Sequence, residues 1–108
     1  MKINIRNKTI TSVDFSNTEV AWAIEDAMLV LDYLNGRNEI VLGGDILTKD
    51  LEYSYDNWYY DVNPGMDSQS NADCSIKRAT EYLSSYIKAN GNTFYVVFVL
   101  DSGLFVLK

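Results

Sequence analysis

Glu39-Ile40-Val41-Leu42-Gly43-Gly44-Asp45-Ile46-Leu47 and, a few residues on, Glu52-Tyr53-Ser54-Tyr55-Asp56-Asn57-Trp58-Tyr59-Tyr60 are the stretches on which the fold of this chain turns. Residues 39 to 42 read as a strand running into the glycine pair. Two glycines after a strand mark a bulge, a turn or a close approach by other backbone. The second stretch is rich in aromatics, which suit a pleated, half-buried surface. Alternation places Tyr53, Tyr55 and Tyr59 on one face, and Trp58 and Tyr60 on the other. A bulge or turn at Asp56-Asn57 would break that register. Asn63-Pro64-Gly65 then marks a turn.

Outward from this centre, two helices are expected. Ser16-Asn17-Thr18-Glu19 has the form of a capping box and is followed by an apolar run. It predicts a helix from about Asn17 to Leu34, closed by Asn35-Gly36. Val20, Ile24, Ala27, Met28, Leu31 and Leu34 form one stripe at helical spacing. Trp22, Leu29 and Tyr33 form a second stripe, either covered by residues 10 to 15 or left as an exposed aromatic patch. A second helix is expected over Ser68 to Asn90, with Ala72, Ile76, Ala79, Leu83 and Ile87 inward. Ser70 and Asp73 supply its cap signal, and Gly91 stops it. Phe94 to Leu100 reads as a long apolar strand. Asp101-Ser102-Gly103 reads as a hairpin loop, returning through Leu104 to Leu107. The expected fold is a single α+β domain over residues 1 to 108. It has two main helices and a mostly antiparallel sheet of about four strands, in the order α-β-β-α-β-β. A short extra strand near Ile3 to Arg6 would add to it.

Charge narrows the partners. Residues 39 to 73 hold eight of the fifteen acids and one base, Lys49, within a chain of formal charge −6. Nucleic acid and anionic membranes are disfavoured, because both need basic surface. A basic protein partner is favoured. The chain is 47% apolar, enough for one core without metal or disulfide. One cysteine, Cys74, and no histidine suit a reducing compartment. Residues 1 to 6 have no apolar signal core, so a cytoplasmic location is expected.

The same composition excludes much chemistry. Without histidine, no Ser-His-Asp or Cys-His device can be built. A zinc site would rest on carboxylates alone. No phosphate-cradling glycine motif is present. Only carboxylates are left as catalysts; Asp45, Asp56 and Asp61 could meet as a glycosidase requires of two acids. No enzyme activity, metal or cofactor is expected. The predicted interaction residues are Asp45, Tyr55, Asp56, Asn57, Trp58, Tyr60 and Asp61, with Trp58 equally readable as core.

Val41-Leu42-Gly43-Gly44-Asp45-Ile46, then Tyr55-Asp56-Asn57-Trp58-Tyr59-Tyr60, then a helix and a closing hairpin resemble the immunity protein 40 family of bacterial polymorphic toxin systems. The resemblance runs from about Ala21-Trp22 to the C-terminal strand. It implies a small cytoplasmic protein, without enzyme activity, that binds and neutralises a cognate toxin domain. The alternative class is an adaptor or regulatory domain binding a peptide or small ligand. A monomer or weak dimer is expected.

Overall fold

The computed structural model describes residues 1–103. Lys2–Ile5 (β1) and Lys8–Thr11 (β2) form a separate antiparallel hairpin. Val13–Asp14 (β3), Val20–Ala23 (β4), Val41–Leu47 (β5), Tyr53–Tyr59 (β6) and Tyr95–Leu100 (β7) make one sheet in the order β3-β4-β7-β5-β6, with every pairing antiparallel. Ala27–Gly36 (α1) and Ser68–Asn90 (α2) complete the fold. Two helices and an antiparallel sheet agree with the sequence reading. The strand count does not: among the described residues the sheets have five and two strands rather than about four.

One extra strand, β4, comes from the first half of the expected helix 17–34, and β1, β2 and β3 precede it. Val20–Ala23 is a strand, Ile24–Asp26 is a single 3-10 turn, and only Ala27–Gly36 is α-helical. The capping-box pair closes a turn instead. The Ser16 N–H donates to the Glu19 carbonyl at 3.1 Å, and the Ser16 hydroxyl donates to Oε1 of Glu19 at 3.4 Å. Val20, Ala21 and Trp22 are all buried, as a strand covered on both faces requires. An apolar run of that length fits a helix or a buried strand equally by periodicity. Tertiary pairing to β3 and β7 decides it. The stripe Trp22–Leu29–Tyr33 therefore does not exist as a helix face. At the other end Gly36 stays helical, and Asn38 takes the left-handed conformation at φ 57°.

α2 spans the expected residues. Its cap is Asp67, not Ser70 or Asp73: the Ser70 N–H donates to Oδ1 of Asp67 at 2.8 Å. Gly91, at φ 90°, ends it. Ala72, Ala79 and Leu83 are buried, with Ile76 and Ile87 packed beside them. Both helices lie on the sheet face that carries Trp22, Ile46, Trp58, Val96 and Phe98. A smaller cluster of Ala21, Leu47 and Val97, under Phe15 and Leu51, occupies part of the opposite face. Gly103 turns the chain after β7, its N–H donating to the Leu100 carbonyl at 2.9 Å. The expected return strand, 104–107, lies outside the described residues.

The glycine pair combines two of its expected uses. The register slips between Val41 and Gly43, a bulge in β5. A Cβ on Gly43 would strike the Trp58 carbonyl, and one on Gly44 would overlap the Trp58 ring. Gly44→Ala should therefore lower folding stability by about 1–3 kcal/mol, the usual result of overpacking a closed core. Gly36→Ala meets no atom within 4 Å. It should leave stability unchanged or raise it by up to ~1 kcal/mol. Urea denaturation of the two variants against the parent checks the contrast.

Candidate protein-binding face of the sheet

The two motifs, separate in sequence, are one ladder in space. Gly43 pairs with Tyr59, Gly44 with Trp58, and Asp45 with Asn57. Alternation sends Trp58 toward the helices and Asp45, Asn57 and Tyr59 to the opposite face. The register slips again between Asp45 and Leu47, where β6 carries two more residues than β5. The Ser54 hydroxyl holds this bulge by donating to the Ile46 carbonyl at 2.8 Å, and accepts from the Asp56 N–H at 3.2 Å. An even insertion preserves the alternation, so Tyr53 rejoins the face of Tyr59. Tyr55 lies in the bulge at φ 69° and is 87% exposed.

The predicted interaction residues thus separate. Trp58 is core: 4% exposed, stacked on Tyr82 at 5.0 Å and edge-on to Phe98 at 6.0 Å. Its indole N–H is buried without an acceptor among the described residues. Tyr60 is half-buried, and its hydroxyl donates to Oδ1 of Asn71 at 2.7 Å. Partial burial and the neighbouring Cys74 push its pKa up. Asp56 turns to the helix side, where Oδ2 accepts from the Tyr86 hydroxyl at 2.8 Å. Burial and then that bond push Tyr86 up to about 12. Asp61 is exposed in the loop after β6.

Asp45 and Asn57 stay together, on the face away from the helices. Asp45 is half-buried, and no hydrogen bond or ion pair meets its carboxylate among the described residues. Burial raises its pKa above 3.8. Around it are Tyr53 at 49% and Tyr59 at 67% exposure, which alternation places on one face, and Val99 at 41%, which the sequence does not bring to this patch. Val99 pairs with Gly43, so it lies in the same cross-strand row as Tyr59. The Tyr53 hydroxyl is pushed up by desolvation first, then by the negative charges of Glu19 and Asp45. Phe15 meets Tyr53 edge-on at 5.4 Å and closes the patch on the β3 side. Among the described residues, no strand of this sheet contains Lys or Arg.

This arrangement is poor ground for acid–base chemistry. Asp45 and Asp56 leave the sheet on opposite faces, so they do not flank one substrate. A cavity of about 200 Å³ between β4 and β7, lined by residues including Glu19, Val20 and Phe98, touches neither. Among the described residues no group of three His, Cys, Asp or Glu side chains could hold a metal ion. No helix there is long and apolar enough to cross a membrane.

Asp45 should reveal itself in the pH dependence of stability. A carboxyl whose folded pKa exceeds its unfolded value adds stability below the unfolded value, and loses it as pH rises through the folded one. Asp45→Asn removes that loss. It should be more stable than the parent at pH 7, with the difference closing as pH falls below about 4. Urea melts across this range test the prediction, and a variant destabilised at pH 7 contradicts it.

Comparison with known proteins follows the same ladder. No curated protein and no solved structure matches the chain. The family model for Immunity protein 40 matches residues 9–100, which takes in β3 to β7, both helices and the paired Gly-Gly-Asp and Asn-Trp-Tyr segments. The chain belongs to the Immunity protein 40 family.

Proposed function

We propose that this protein neutralises a cognate bacterial toxin domain by binding it, in the cytoplasm and without catalysing a reaction. The ladder that carries the family likeness supports the reading. Its inner side is spent on Trp58 and the core, and its outer side presents Tyr53, Tyr59 and Asp45, with no base in the described strands of the sheet. Exposed tyrosines supply contact area at low entropic cost. A basic toxin domain, with a surface built for phosphate, is the partner that such a field attracts. The sheet face and the adjoining β6 bulge, with Tyr55, Asp45 and Asn57 at their centre and Asp61 at the rim, form the contact region, while Asp56 faces the helices and lies outside it. Trp58 and Tyr60 support it from below.

Co-purification from the native host, with identification of the bound protein, tests the reading. A toxin domain encoded beside this chain should be retained, and its toxicity should be suppressed when both are expressed. Retention should weaken with salt, because steering by exposed acids is screened beyond about 10 Å at 0.1 M. Failure to retain or suppress any neighbouring toxin sinks the proposal. Paired measurements on two variants locate the contact. Tyr55→Ala should reduce affinity by about 2 kcal/mol or more, with little change in urea stability. Trp58→Ala should reduce folding stability by roughly 3–5 kcal/mol.

A further inference from the structure

Asp45 occupies an unusual position for a carboxylate. It is half-buried at the middle of a sheet face, on a strand paired on both sides. Nothing among the described residues neutralises it. On β6 its cross-strand partner is Asn57, and the outward residues one row away on either side are Tyr53 and Tyr59. Along β5, position 43 is a glycine, so no side chain stands between Asp45 and the row of Tyr59 and Val99. Diagonal neighbours on one face lie about 7–8 Å apart, within reach of a single long side chain. Two exposed rings therefore flank one carboxylate, with an amide beside it and Val99 as an apolar wall.

Arginine suits such a setting better than other side chains do. Its guanidinium forks onto a carboxylate with two parallel hydrogen bonds and stacks flat on an aromatic face. Its three-carbon stem packs on apolar surface. A second copy of this chain fits poorly, because it would bring a like-charged sheet face against Asp45 and Glu19. We infer that Asp45, flanked by Tyr53 and Tyr59, receives an arginine side chain of the bound protein, with Asn57 and Val99 fixing its path. The inference rests on the protein-binding reading for the source of that arginine. It adds the chemistry and the position of the central contact.

The site is testable without the partner. The full chain, labelled with nitrogen-15, is titrated with the blocked peptide Gly-Arg-Gly at low salt, and with Gly-Lys-Gly and Gly-citrulline-Gly for comparison. The arginine peptide should shift the amides of Asp45, Tyr53, Asn57 and Tyr59 together, with saturable, weak affinity. Lysine should bind more weakly and citrulline not at all. Asp45→Asn should weaken the arginine peptide about tenfold or more, as loss of a charged hydrogen-bond partner does. Tyr59→Ala should weaken it less, and Glu81→Gln, on the helix side, should leave it unchanged. Equal shifts at acids all over the surface, insensitive to Asp45→Asn, would overturn the inference, as would no shift at Asp45. Sedimentation of the parent and Tyr59→Ala covers the other occupant: a dimer abolished by Tyr59→Ala assigns the face to a second copy and also overturns it. Those failures leave the toxin-binding reading intact, because co-purification decides that separately.

Discussion

The ring of Trp58 lies on bare backbone at Gly44, and the rest of the fold is arranged around that contact. The cross-strand pair of a glycine and a tryptophan fixes the register of β5 against β6, because no other residue at position 44 leaves room for the ring. The indole also stacks on Tyr82 of α2, and the aromatic row continues through Tyr86 to Phe94. One side chain thereby ties the edge strand, the central strands and the long helix together. Burial of a tryptophan contributes several kcal/mol, a large share of the net stability of a domain this size. A one-residue slip would turn Trp58 to solvent and Asp45 into the core, so the register is strongly specified.

Two buried polar side chains complete what packing leaves open. Asn71 accepts from the Tyr60 hydroxyl and the Asn63 N–H, and its amide donates to the carbonyls of Asn63, Met66 and Asp67. It fastens the loop after β6 to the first turn of α2, which sets where Asp61 projects. Ser75 accepts from the Val41 N–H at 2.9 Å and donates to the Ala72 carbonyl, pinning the start of β5 to the same helix. Buried polar groups are tolerated when satisfied in this way. The sheet face that exposes Tyr53, Tyr59 and Asp45 is thus held from behind by groups on the helix side.

Sequence patterning carried α2 and the ladder well, and the first forty residues poorly. The 4-3-4-4 spacing from Ala72 to Ile87 has a single reading, and Gly91 ends it without competition. Tyr53 to Tyr59 reads as a strand, and an insertion of two residues happens to keep its alternation. Val20 to Ala23 has no such protection. Four consecutive apolar residues lack a period of their own, and the Ser16–Glu19 pair serves a turn as readily as a helix cap. Only the pairing with β3 and β7, distant in sequence, resolves it. The same limit applies to the site. Asp45 and Asn57 were legible because they sit in the motifs. Val99 and Tyr59 become their neighbours only through register, which no local pattern encodes. Asn71 and Ser75 look like ordinary helix polar residues until the loop and strand they bind are in place.

The outer side of the ladder carries costs that its inner side does not. Asp45 is partly desolvated with no cation paired to it among the described residues, and Tyr55 is held in the left-handed region, a conformation about 1–2 kcal/mol above its ordinary one. Neither brings a visible return to the isolated chain. Both would be offset on association, Asp45 by a cation and Tyr55 by the contact that its protrusion makes available. The charges are distributed to the same end. Bases occur on the hairpin at Lys2, Arg6 and Lys8, and on α2 at Lys77, Arg78 and Lys88, while the charged residues in the described strands of the five-stranded sheet are all acids. Under the proposed reading, a basic partner would be turned toward the sheet, where exposed acids such as Asp61 would act on encounter and be screened by salt. Asp45, enclosed between rings once such a partner is seated, would act on dissociation instead. Of the two, only Asp45 depends on the register that Trp58 and Gly44 impose.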